Sequence, residues 1–226
     1  MKNVFTLRVA TLLLAACAST PPPAPWQANA SSALQGYSTA YLSGNTRLAD
    51  FEFTRAKQEL ASTARPDLMA RAELMRCATR VASLEFDDCA AYQPLAQDAS
   101  ASEKAYAAFL AGNWTGLDPA LLPAHHRVLV TNAQANKPAQ TTSVLARMED
   151  PLARLVAAGV LLQTGRLSAP DMVIALDTAS SQGWRRPLLA WLNVQLKRAS
   201  EAGDRDAQAR IQRRIDLVAP PPDKNQ

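Results

Sequence analysis

Two adjacent histidines, His125 and His126, are the only imidazoles in a chain of 226 residues, and acidic doublets occur at Asp87-Asp88 and Glu149-Asp150. Imidazole and carboxylate are the usual carriers of proton transfer and metal ligation, so these residues are the first to test for chemistry. Neighbouring positions on a helix point about 100° apart, so His125 and His126 do not both face one ion. They read as surface or helix-boundary residues. The acidic doublets stand at turns or just ahead of a proline, where a carboxylate suits the positive end of a helix dipole. His-Glu-x-x-His, Gly-x-Ser-x-Gly and phosphate-cradling Gly-Lys-Ser/Thr patterns do not occur in the sequence. The sequence therefore assigns no catalytic residue, no metal ligand and no cofactor.

Cysteine chemistry is more informative. Lys2 and Arg8 precede the short apolar run from Val9 to Ala16, and Leu14-Ala15-Ala16-Cys17 closes it. The run is well below the roughly 20 apolar residues that span a bilayer, so it reads as an export signal over residues 1–16. The junction resembles the lipobox of bacterial lipoproteins, in which a branched apolar residue and two small residues precede a cysteine. The resemblance implies that Cys17 is the lipid attachment site and the first mature residue, with two thioether-linked acyl chains and usually a third on its amine. Two or more chains give stable anchoring, at roughly 0.8 kcal/mol per buried methylene. Ala18 follows, not the aspartate that retains enteric lipoproteins in the inner membrane. The implied location is the periplasmic leaflet of the outer membrane.

Export places the rest of the chain in an oxidising compartment, where Cys77 and Cys89 form an even pair. Cys77 lies in a helical stretch and Cys89 follows the Asp87-Asp88 break. A chain that turns back there brings the two within bonding distance, and the expectation is a disulfide; the alternative is two buried thiols. Two cysteines this far apart with no histidine nearby do not make a usual metal site.

The elements that position these groups are helical. Hydrophobic residues make up 48% and charged residues 19%, which allows a packed core. Alanine and leucine dominate over three isoleucines and eleven valines, a balance that disfavours sheets. Apolar residues recur at spacings of three and four in Ala49-Phe53-Ala56-Leu60, Leu74-Ala78-Val81, Leu152-Leu155-Val156-Gly159-Leu162, Leu188-Trp191-Leu192-Leu196 and Ala207-Ile211-Ile215-Val218. Pro66, Pro119, Pro151, Pro170 and Pro187 mark helix starts, where a missing N–H is harmless. Asp118 and Asp150 suit N-caps, and Ser100 with Glu103 and Ser168 with Asp171 suit capping boxes. Glycines such as Gly44, Gly165 and Gly183 mark helix ends. Residues 17–30, with Pro21, Pro22, Pro23 and Pro25, read as a lipidated cysteine and an extended spacer. Residues 31–219 read as one helical domain and 220–226 as a disordered tail.

The fold expected is all-α, with about eight to ten short helices stacked as antiparallel hairpins, either an α-solenoid or an irregular helical bundle. Gly44-Asn45 followed by Ala49, Phe53 and Ala56 resembles the second half of a tetratricopeptide repeat. There a small residue, an aromatic and another small residue let paired helices approach. The resemblance covers one hairpin; later turns match it poorly and are unequally spaced.

Removal of the signal leaves 22 basic against 20 acidic residues, a net charge near +2. Export and near-neutrality exclude nucleic acid as a partner. The basic excess lies at the C-terminus, where Arg210, Arg213 and Arg214 share one side of the last helical segment. These three arginines and Trp184 are the candidate interaction residues. Lipobox, spacer and stacked helices point to a non-enzymatic, lipid-anchored scaffold that engages another envelope protein, as tetratricopeptide-like lipoproteins do. One alternative is binding of peptidoglycan or another anionic glycan through the basic C-terminal face. The other is an envelope hydrolase using an unrecognised acidic pair.

Overall fold

The computed structural model describes residues 24–135 and 141–219. Cys17, the signal segment, most of the expected spacer and the tail over 220–226 lie outside the described residues. Among the described residues the structure is all-α, and no strand occurs.

The first hairpin pairs α1 (Pro25–Leu42) with α2 (Thr46–Ala61). The spacer expected through residue 30 therefore ends earlier. Pro25 does not extend the proline run; it occupies the first turn of α1, where no N–H is needed, and Trp26 packs on the core of the hairpin. The turn needs Gly44 in the left-handed region, at φ +86°, and Asn45 then caps α2 by accepting from the Leu48 N–H at 3.1 Å. Ala49, Phe53 and Ala56 face α1 and are buried, and the Tyr37 and Phe53 rings sit 5.1 Å apart. Small residues bring the helices close and the aromatics fill what remains.

After α3 (Pro66–Ala82) the chain leaves helical structure and returns across α3 through the Cys77–Cys89 disulfide, whose Cα atoms are 5.3 Å apart. Asp88 and Cys89 both adopt positive φ in this return. Asp87 fixes it by accepting from the Cys89 N–H at 3.1 Å and by pairing with Arg80. Then follow α4 (Ala101–Leu110), α5 (Ala124–Gln134), α6 (Thr141–Arg147), α7 (Pro151–Gln163), α8 (Ala169–Ser181), α9 (Arg185–Glu201) and α10 (Arg205–Val218). Both expected capping boxes are present, at the starts of α4 and α8, and Asp150 caps α7. The segments α7 to α10 pack as successive hairpins, while α3 departs from that order and packs mainly on α7.

Two apolar clusters result. The smaller lies between α1, α2 and one side of α3. The larger runs from the other side of α3 through α4, α5 and α7 to α10, around the fully buried Trp191, Phe109 and Leu155. α3 therefore belongs to both. It approaches α7 closely at Gly159, where a Cβ would stand 2.4 Å from the carbonyl oxygen of Val81. Arg186 joins the two clusters from the α9 end. It donates to the Tyr41 carbonyl at 2.8 Å and to Thr46 Oγ1 at 2.7 Å, approaches Glu85 at 3.4 Å, and lies 4.2 Å from the Tyr41 ring centroid.

Two outcomes follow from this packing. Gly159→Ala improves helix propensity by about 1 kcal/mol yet forces backbone apart at the crossing. The variant is expected to be less stable by about 1–3 kcal/mol in urea unfolding, because the obstructing atom is main chain and not a flexible side chain. Reduction of the Cys77–Cys89 bridge, which closes a short loop, is expected to lower stability by roughly 3 kcal/mol, read as a fall in melting temperature on adding reductant.

Candidate functional site

A groove of about 460 Å³ opens between α3, α4, the entry to α5 and the start of α7. Leu74, Met75 and Ala78 of α3 form one wall and Leu152, Ala153 and Val156 of α7 the other; Leu121 and Leu122 close one end. α3 and α7 run in the same direction from this groove to their contact at Val81 and Gly159. The groove is thus the opening left on the N-terminal side of the crossing. Its lining is predominantly apolar, with polar groups confined to the margins, an arrangement suited to an apolar ligand or segment.

Those marginal groups are held by helix starts. Ser100 Oγ accepts from the Glu103 N–H at 3.2 Å, and Glu103 Oε2 accepts from the Ser100 N–H at 2.8 Å. The other Glu103 oxygen takes the Arg71 Nε–H at 3.1 Å. Asp150 accepts from the Leu152 N–H at 2.9 Å as the N-cap of α7. Both groove carboxylates are therefore engaged in capping, which stabilises the walls and leaves them no obvious second task. Tyr106 lines the groove, and burial pushes its phenol well above the usual range.

The adjacent histidines take different surroundings, as their 100° offset requires, although their rings meet edge to face at 4.3 Å. His125 lines the groove, and burial holds its pKa below the ordinary value, opposed by the nearby Asp150 charge. His126 corrects the surface reading: it is fully buried. Its Nε2–H donates to the Ala153 carbonyl at 3.1 Å and its ring stacks 4.5 Å from Phe109. That bond assigns the proton to Nε2 and leaves Nδ1 without a partner. Burial pulls the imidazole down to about 4, despite the favourable carbonyl bond. The available signal was the shared face of His126, Leu129 and Val130, all buried, at spacings of three and four. Trp114, which follows the turn at Gly112, belongs to the same packing. It is buried, stacked 5.6 Å from Phe109, donates to the Phe109 carbonyl at 3.1 Å, and carries Arg166 over its ring.

Cys77 and Cys89 are joined. Asp87 is engaged by Arg80 and the Cys89 N–H, and so serves the loop. Arg210, Arg213 and Arg214 are all exposed on α10. Trp184 does not join them: it is half-buried before the first turn of α9 and packs against the larger core. Among the described residues no group of three or more histidine, cysteine, aspartate or glutamate side chains is placed to hold a metal ion. No helix there is long and apolar enough to cross a membrane. No family model matches the chain, and no curated protein or solved structure is significantly similar to it.

His126 gives the site a pH dependence. Its folded pKa near 4 lies below the ordinary 6.5, so the unfolded chain binds the extra proton between those values. The stabilisation from the neutral ring is complete above about pH 6.5 and is lost as pH falls towards 4, by about 3 kcal/mol. Unfolding free energy measured across that interval is expected to fall steeply in the parent and less steeply in His126→Gln, with His125→Gln showing a smaller change of slope.

Proposed function

We propose that this chain is a non-enzymatic bacterial lipoprotein, anchored through Cys17 on the periplasmic side of the outer membrane, whose helical body engages another envelope protein. The anchor reading is supported by Leu14-Ala15-Ala16-Cys17 and by the positive charges ahead of the apolar run. The Cys77–Cys89 bridge accords with an oxidising compartment. The observation that carries the partner reading is the apolar groove between α3 and α7. Its partner is an apolar segment with few charges, because Arg71 with Glu103, His125 and Asp150 all stand at the margins. Association by such a surface follows the helix-in-groove mode, in which apolar anchors provide affinity and the polar rim sets register.

Two measurements test this. Palmitate labelling in the native host is expected to mark the protein and to be lost in Cys17→Ser, with the precursor accumulating under globomycin. A photo-crosslinking side chain at Leu121, 36% exposed on the lip of the groove, is expected to capture a defined protein in the intact envelope. The same group at Phe51, 60% exposed on α2, is not expected to do so. Unchanged processing under globomycin would refute the anchor, and equal capture at both positions would refute the groove as the docking surface.

A further inference from the structure

The last helix carries a surface that the groove does not explain. α10 packs against α9 through Ile211, which is buried, with Ala207, Ile215 and Val218 half-buried beside it. Leu217 points the other way and is 86% exposed. Arg210, Arg213 and Arg214 lie seven, four and three residues before it, so all three share its sector of the helix. A leucine therefore projects from the same sector, just beyond the three guanidinium groups towards the C-terminus. Asp206 shares the sector, about 6 Å along the axis before Arg210 and about 16 Å before Leu217. Asp216 sits on the flank and is engaged by the Gln212 amide at 2.8 Å. On α9, Glu201 is paired with Lys197 at 3.9 Å. Asp206 and Asp216 are thus within helical reach of Arg210 and Arg213, but neither forms an ion pair with them among the described residues, and the three arginines outnumber them.

Arg210 and Arg214 also line a cleft of about 240 Å³ between α9 and α10, with Gln195 and Ile211. The Oε1 atom of Gln195 is buried there without a hydrogen-bond partner. Two guanidinium groups beside an unused acceptor suit a phosphate ester that also carries hydroxyl donors. The partner must therefore combine dense negative charge, hydroxyl donors and an apolar layer that admits Leu217. An anionic glycan supplies the charge and hydroxyls but no apolar layer.

We infer that the outer face of α10 is a contact site for an anionic phospholipid surface, with Arg210, Arg213 and Arg214 on lipid phosphates and Leu217 inserted among the acyl chains. Each guanidinium near such a surface strengthens binding on the order of fivefold, and the leucine adds an apolar term of similar size. Alone this is weak attachment. On a chain already held at the membrane it sets orientation.

The test reads α10 directly. The full-length protein is reconstituted into vesicles of phosphatidylcholine alone or mixed with phosphatidylglycerol, and amide exchange is followed over 205–218. Exchange is expected to slow in the anionic vesicles and to recover in high salt. The triple variant Arg210→Gln, Arg213→Gln, Arg214→Gln is expected to need on the order of a hundredfold more anionic lipid for the same slowing. Leu217→Ser weakens the effect several-fold without changing its salt dependence, and Arg47→Gln on α2 leaves it unaltered. Equal exchange in both vesicle types, or slowing that survives the triple variant, overturns the inference. So does slowing by purified sacculi but not by lipid, which would assign the face to a glycan. A chain that fails to enter either vesicle speaks against the Cys17 anchor; added from solution to the same vesicles, it still shows α10 slowing if the inference holds.

Discussion

The contact between Gly159 and the Val81 carbonyl organises the molecule. It joins residues 78 positions apart, and it works only because residue 159 has no side chain. From that point α3 and α7 extend back towards their N-termini with the groove between them. The same α3 carries the first hairpin on its other side, so the crossing also fixes where α1 and α2 sit. Moving the crossing by one helical turn would displace Leu74 and Ala78 from Leu152 and Val156 and close or deform the cleft.

The walls are then stabilised at their ends. Ser100 and Asp150 satisfy first-turn N–H groups of α4 and α7, Glu103 accepts from the Ser100 N–H in return, and Arg71 reaches Glu103 across the groove margin. These bonds leave the floor apolar and the rim polar without committing a free charge to the interior. His126 completes the back of the wall. It is a polar ring held neutral among Phe109, Tyr106 and the α7 backbone, an arrangement of packing and not of proton transfer.

What could be read directly from the chain was local. Proline at helix starts, the capping boxes at Ser100 and Ser168, and the glycine turn at residue 44 each involve neighbours within four residues, and the structure retains them. The Cys77–Cys89 bridge was legible because one short return is enough to close it. The end of the spacer was misjudged because Pro25 continues a proline run in sequence while serving as a first-turn residue in space. Non-local features were not legible. Arg186 reaches Tyr41 across 145 positions, and the pairing of α3 with α7 bypasses the intervening helices. A trace of it was present: glycine inside the apolar stripe of α7 is unfavourable for a helix by about 1 kcal/mol relative to alanine, and close approach of another backbone is the physical reason to keep it.

The central claim is that the groove beside this crossing is covered by another protein in the envelope. Ser102 lies exposed on its margin, so Ser102→Cys supplies a thiol at the mouth, and Ser31→Cys, exposed on α1, supplies a reference. Alkylation rates are compared in intact envelopes and in the purified protein. Shielding at residue 102 in the envelope, released on purification while residue 31 reacts equally in both, is the predicted result. Equal reactivity at residue 102 in the two settings would contradict the account.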